Sequence, residues 1–145
     1  MATNCRFAFA VHVLACLALS EEGAQNSEQL AGTVNTNPVV IRRLLLDLRE
    51  GGLIETQRGP GGGARLSRPA SDISLAQIFV AVEGQFRLFG DHPNEPASGC
   101  PVGGSIKTVL GAIAARAAQC VEREYGAISL ADVVAQLGAT RPDTQ

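Results

Sequence analysis

The sequence has no tryptophan, one tyrosine and five phenylalanines, so aromatics make up only 4% of its 145 residues. A stacking platform for single-stranded nucleic acid is thereby excluded, because such a surface needs a ring for each successive base. No run of about 18 apolar residues occurs, so a membrane-spanning helix is not expected. Lysine is nearly missing: Lys107 is the one lysine among twelve cations, and fourteen acids leave a formal net charge of −2. A uniformly basic coat is therefore lacking, and any nucleic-acid surface must be local. Histidine is confined to His12 and His92, and no spacing places a nucleophile beside a base, so no catalytic residue is assigned and an enzyme is not expected. The four cysteines, Cys5, Cys16, Cys100 and Cys120, form no Cys-x-x-Cys pair. That removes zinc-finger and thioredoxin-type readings. With 46% hydrophobic residues available for a core, disulfides are not required, and a reducing, cytoplasmic setting is expected.

What is present is a series of helical patterns and one hairpin. Residues 5–19 are apolar on most sides and read as a buried helix. Within them Val13-Leu14-Ala15-Cys16 resembles a lipoprotein cleavage box. A single positive charge precedes it and His12 interrupts the apolar stretch, so the buried helix is preferred to export. Asn26 or Ser27 caps a second helix running to about Thr33. Val34-Asn35-Thr36 is a short turn, in which Asn can take the left-handed conformation. Asn37 followed by Pro38 starts a third helix, carried by Val40, Ile41, Leu44, Leu45 and Leu48 at helical spacing and ended by Gly51-Gly52. Residues 53–57 and 64–67 read as strands around the turn Arg58-Gly59-Pro60-Gly61-Gly62-Gly63.

A fourth helix is expected over residues 71–83, with Ile73, Ala76, Phe79 and Val80 on one face. Residues 84–104 form a Gly- and Pro-rich loop, of a length that usually carries a function. The longest helix, 105–125, repeats Ile106, Val109, Leu110, Ile113, Ala117, Cys120 and Val121 along one stripe, on which Cys120 reads as core. A short helix over 129–137 and a frayed tail over 139–145 close the chain. The fold class is mainly α: a winged helix-turn-helix with a two-stranded wing and a long C-terminal dimerisation helix. Residues 1–84 form the DNA-binding domain, 85–104 a sensor loop, and 105–138 the dimerisation and C-terminal helices.

In such a fold the second helix of the pair enters the major groove. Leu30, Ala31, Val34, Ile41 and Leu44 are placed to pack the pair. The exposed first turn then carries Thr36, Asn37, Val39 and Val40, with Arg42 and Arg43 one turn later. Arginine binds guanine bidentately or grips phosphate, and valine methyls meet thymine methyls. Arg42 is assigned to phosphate and Arg43 to base edges, while Asn37 also qualifies as a simple cap. The hairpin adds Gln57, Arg58 and Arg65, and its glycines allow close approach to a minor groove or backbone. From Thr36 to Arg68 six arginines face three acids, a local positive excess in an acidic chain. The glycine run is not a phosphate loop, since no Lys-Ser/Thr follows it.

These residues resemble a known family. Val34-Asn35-Thr36-Asn37-Pro38-Val39-Val40-Ile41-Arg42-Arg43, Gly52-Leu53-Ile54, Arg58-Gly59-Pro60-Gly61-Gly62-Gly63-Ala64-Arg65-Leu66, Ile73-Ser74-Leu75 and Val82-Glu83-Gly84 look like the Rrf2 family (IscR/NsrR-type) of bacterial winged helix-turn-helix transcriptional regulators. The resemblance spans roughly residues 5–137. His92-Pro93-Asn94 with Cys100-Pro101-Val102-Gly103 resembles its YwnA-like branch, which lacks the three-cysteine cluster motif. The resemblance implies a cytoplasmic homodimer, probing a palindromic double-stranded DNA operator and acting as a repressor, with the long helix as the dimer arm. No membrane partner is implied.

Cluster-binding members of the family place three cysteines in the loop before the dimer helix, where this chain has only Cys100. One thiolate does not hold an iron–sulfur cluster, so no cofactor and no metal are expected. A composite site of Cys100 with His12 and Cys5 of the other subunit is the variant that helix-one ligands in the family imply. Against it, His12 reads as an interior histidine, and Cys5 and Cys16 as small buried hydrophobes. The favoured sensor is Cys100 itself, a redox- or electrophile-sensing thiol at the start of the dimer helix, with His92 nearby in sequence. Packing of the loop is the plain alternative for Cys100. The other functional alternatives are control by a small-molecule or metal ligand at the dimer interface, and a winged helix used for protein interaction.

Overall fold

A computed structural model describes residues 5–90 and 92–139. The chain runs α1 (Arg6–Leu19), α2 (Ser27–Val34), α3 (Pro38–Glu50), β1 (Ile54–Gln57), β2 (Gly63–Leu66), a 3-10 turn (Ala70–Asp72), α4 (Leu75–Glu83), α5 (Ile106–Gly126) and α6 (Leu130–Ala139). The two strands form one antiparallel hairpin, with Ile54 opposite Leu66 and Gln57 opposite Gly63. The mainly α, winged helix-turn-helix class is as expected. The tail from residue 140 onward lies outside the described residues, and among the described ones no helix is long and apolar enough to cross a membrane.

Local chemistry explains the boundaries. Asn26 accepts the Gln29 amide at 2.8 Å and the Gln29 side chain accepts the Asn26 amide at 2.9 Å, a reciprocal capping box that starts α2. Asn35 ends α2 in the left-handed region at φ 61°. It alone of the described non-glycine residues has a positive φ, and this is the Asn role read from the turn. Asn37 caps α3 through the Val39 amide at 2.8 Å, with Pro38 in the first turn, where its missing N–H costs nothing.

The fourth helix departs from expectation. Ser74 and Gln77 form a second capping box. That box starts α4 at Leu75 and leaves Ala70–Asp72 as a separate single turn. The inward face is accordingly Ile78 and Val82, while Val80 is half-exposed; Ile73 is buried, but as an extended residue ahead of the helix.

The core forms around α1, whose Ala10, Val13 and Leu14 are fully buried against α2, α4, α6 and the second strand. Leu30, Ile41, Leu48, Leu53 and Ile78 converge on it. Burying each such side chain contributes about 1.5–3 kcal/mol. Leu130 of α6 joins the same core, and Leu130 N–H donates to the Ile73 carbonyl at 2.8 Å, tying α6 to the entrance of α4.

Four of the six aromatic side chains, Phe7, Phe79, Phe86 and Tyr125, stack into one cluster. It anchors the C-terminal end of α5 to α1 and α4. The rest of α5 has no such cover, and none of its residues is buried. Cys120, read as core, is exposed. The stripe is apolar as expected, but the described residues do not bury it.

Candidate nucleic-acid interface

The α2–α3 pair is locked by Leu30, Ala31, Ile41 and Leu44, all buried, with Val34 half-buried at the crossing. Locking that side turns the other outward. Val39 is 63% exposed and Val40 43%, and Arg42 and Arg43 are both exposed. Asn37 is exposed and engaged as the helix cap. Thr36 is half-buried, its amide donating to the Ala31 carbonyl at 3.0 Å, so it is the least available of the first-turn candidates.

Arg42 and Arg43 point to different neighbourhoods. Arg42 shares an open cleft of about 530 Å³ with Arg49, Gln57 and the wing glycines, between α3, the wing and the start of α2. Arg43 borders a smaller hollow of about 230 Å³ with Val39, Val40, Phe9 and Arg6 on the α1 side. The candidate residues therefore form two adjoining patches, one facing the wing and one facing α1.

The wing tip needs its glycines for space as well as for turning. Ala64 N–H donates to the Gln25 carbonyl at 2.7 Å, and Gln25 N–H donates back to the Ala64 carbonyl at 3.0 Å. This two-bond bridge pins the wing to the segment before α2. Gly63 stands at φ +144°, and a Cβ there would sit 2.4 Å from the Gln25 oxygen. Gln25 was not singled out from the sequence; an isolated polar residue before a cap carries no signal of such a bridge.

The arginines divide by what they touch. Arg42, Arg43 and Arg58 have no hydrogen-bond or ion-pair partner among the described residues. Arg65 reaches Glu55 across the hairpin at 3.9 Å and donates to Gln57 Oε1 at 3.4 Å. Arg49 donates to Thr56 Oγ1 at 3.4 Å, and Arg68 to the Asp72 carbonyl at 3.1 Å. Of the three acids in this segment, Asp47 is bound by Arg6 from α1. Arg6 is a further residue that the sequence reading passed over.

The sensor candidates are not brought together within the chain. Cys5, at the N-cap of α1, and His12, on the helix, are both exposed, correcting the interior reading of His12 and the buried reading of Cys5. At residue 12 the helix turns toward solvent, because the buried face runs through Ala10, Val13, Leu14 and Leu17. Cys16 is half-buried, and burial pushes its thiol up from its ordinary value. Cys100 is exposed in the loop, and its Sγ accepts the Gly103 amide at 3.3 Å in the turn that runs into α5. His92 accepts the Asn94 amide at 3.4 Å. Among the described residues no three Cys, His, Asp or Glu side chains stand close enough to hold a metal ion.

Comparison with known proteins places this geometry. Residues 3–136 match the family model Rrf2, described as an iron-dependent transcriptional regulator. YwnA of Bacillus subtilis (strain 168), described as an HTH-type transcriptional regulator, is 37% identical over 134 residues, covering 92% of this chain and 98% of YwnA. A crystal structure described as that of a DNA-binding protein superposes with a TM-score of 0.72 at 32% identity, over 88% of this chain and 97% of that one. The structure of T. potens IscR gives a TM-score of 0.70 at 20% identity, over 99% and 93%, a likeness of fold.

Proposed function

The chain belongs to the Rrf2 family of transcriptional regulators, and on that premise we propose that it is a homodimeric, sequence-specific repressor that binds a double-stranded DNA operator and responds to oxidants or electrophiles through Cys100. The observation that carries the DNA reading is the set of cations with no partner among the described residues, Arg42, Arg43 and Arg58, exposed on α3 and the wing. Cations already neutralised within the fold would release few counterions from DNA; these three are available to do so. Arg43, flanked by Val39 and Val40, reads base edges, Arg42 grips phosphate, and Arg58, Arg65 and Gln57 hold the wing to the backbone or minor groove.

The dimer reading is supported by α5. Val109 and Ile113 are each just over half exposed, and Leu110 is 43% exposed, on a helix with no buried residue. A second copy of α5 covers that stripe and sets two recognition helices about one DNA turn apart. Residues 1–84 then bind DNA, 85–104 sense, and 105–138 carry the dimer arm.

Cys100 suits a switch because its sulfur participates in the turn that launches α5. Exchange with a low-molecular-weight disulfide forms a mixed disulfide on Cys100 and releases one thiolate. The added group displaces the Gly103 contact and disturbs the entry to the dimer helix. Cys16 is the less reactive thiol, since burial keeps it protonated. No iron–sulfur cluster takes part in this reading, which places the protein in the reducing cytoplasm. A second reading, control by a small ligand, is favoured by one feature: a cavity of about 260 Å³ between residues 86–90 with His92 and the first half of α5.

The test is fluorescence anisotropy with a duplex selected by the wild-type protein from a randomised library, titrated in dithiothreitol and after diamide. Salt-dependent binding that diamide abolishes and Cys100→Ser retains is the expected result. Binding indifferent to diamide refutes the thiol switch and turns attention to the α5 cavity. Failure to select any duplex refutes the DNA reading.

A further inference from the structure

Arg6 stands in an unfavourable place for its own helix. It is the first residue of α1, whose first turn holds no acid. The positive end of a helix dipole disfavours a cation there. Its side chain instead crosses to α3, where Nη2 donates to the Asp47 carboxylate, Oδ2, with both side chains about one-third exposed.

Asp47 lies one helical turn beyond Arg43, at the i+4 position where opposite charges on a helix meet. Arg43 nevertheless has no ion-pair partner among the described residues. Arg6 and Arg43 border the same hollow, with Phe9, Val39 and Val40 between them. From this we infer that Arg6 is a positioning residue for DNA recognition: by holding Asp47, it keeps that carboxylate from capturing Arg43 and from facing the phosphates uncompensated. The inference rests on the reading of α3 as the recognition helix.

Without Arg6, Asp47 has one cation within reach on its own helix. Each Arg43–Asp47 contact then competes with DNA, and an unneutralised carboxylate beside the phosphates costs further affinity. Arg6→Ala should weaken binding to the duplex selected by the wild-type protein by about fivefold, within the range of a partly lost base contact. Arg6→Lys keeps the charge and should keep most of the affinity.

The decisive variant is the double substitution Arg6→Ala with Asp47→Asn. It lacks the α1–α3 ion pair as completely as Arg6→Ala does, so thermal unfolding should be lowered in both. Only the double variant removes the competing carboxylate, and its DNA affinity should return to within about twofold of wild type. A double variant as weak as Arg6→Ala would overturn the inference and leave Arg6 a structural residue. Wild-type binding by Arg6→Ala would also overturn it. Arg43→Ala separates the premise: an unchanged affinity and preference there removes the recognition-helix reading itself, whereas a loss there with no rescue in the double variant removes the role of Arg6 alone.

Discussion

Substituting alanine at two glycines of one turn separates crowding from backbone strain. Gly61 and Gly63 both have positive φ, +74° and +144°. Around Gly61 there is open space, so Gly61→Ala meets only the conformational penalty, about 1 kcal/mol. At Gly63 an added Cβ would lie 2.4 Å from the Gln25 oxygen and 2.9 Å from the Asn26 nitrogen. No rotation of a side chain relieves a clash with backbone, so the wing must move off the segment before α2. That breaks the two Gln25–Ala64 hydrogen bonds, at about 1 kcal/mol each, in addition to the φ penalty. The sum is about 3–4 kcal/mol for Gly63→Ala. At about 2–4 °C per kcal/mol for a chain of roughly this size, the midpoints fall by about 3 °C for Gly61→Ala and about 10 °C for Gly63→Ala. Thermal unfolding by circular dichroism, at one fixed protomer concentration, measures both. Equal shifts for the two variants would refute the argument that the wing is pinned by close backbone contact.

Other expected outcomes are quickly stated. Asn37→Ala removes the cap on the Val39 amide and should cost about 1 kcal/mol in urea unfolding, with no change in the folded secondary structure. Ile113→Asp puts a charge in the bare α5 stripe and should give a monomer by multi-angle light scattering, with DNA binding weakened because both half-sites no longer act together. Arg58→Ala should weaken binding across sequences and flatten its salt dependence, whereas Arg43→Ala should also relax sequence preference. Lys107 holds the Glu95 carboxyl below its ordinary range, by hydrogen bond first and by charge second, with a smaller contribution from His92. The Glu95–Lys107 clip is therefore fully formed above the ordinary carboxylate value of about 4.3 and is lost as pH falls through the lowered one. A carboxyl-carbon NMR titration should show the Glu95 midpoint rising in Lys107→Ala; an unmoved midpoint would contradict the pairing.

Much of the fold was legible because its punctuation is chemical. Asn26, Asn37 and Pro38 sit where orphan amides need a partner or where a proline costs nothing, and each marks a helix start within a residue. The missed break before α4 followed the same chemistry: Ser74 and Gln77 are a capping box spaced as at Asn26 and Gln29, overlooked because the apolar pattern ran on through Ile73. Burial was less legible. Apolar spacing shows that a stripe wants cover without saying which surface supplies it, and so Cys120 reads as core although it is exposed among the described residues. His12 failed in the other direction: a helix apolar on most sides still has one side in water, and residue 12 is on it.

The candidate site shows where pattern reading stops. Six arginines between Thr36 and Arg68 are equivalent as letters, and their excess over three acids is a small number that would persuade on its own of very little. Their partners make the difference. Arg68 is spent on a backbone carbonyl, Arg65 and Arg49 lean on the hairpin, and only Arg42, Arg43 and Arg58 face outward without a partner among the described residues. Contacts with the hairpin and around the entrance to α4 decide which arginines are committed, and a contact 41 residues apart, in which Arg6 takes up Asp47, removes one of the three acids. An electrostatic footprint is therefore a property of which charges the fold leaves uncommitted, and a count of basic residues recovers it only after the tertiary ion pairs have been subtracted.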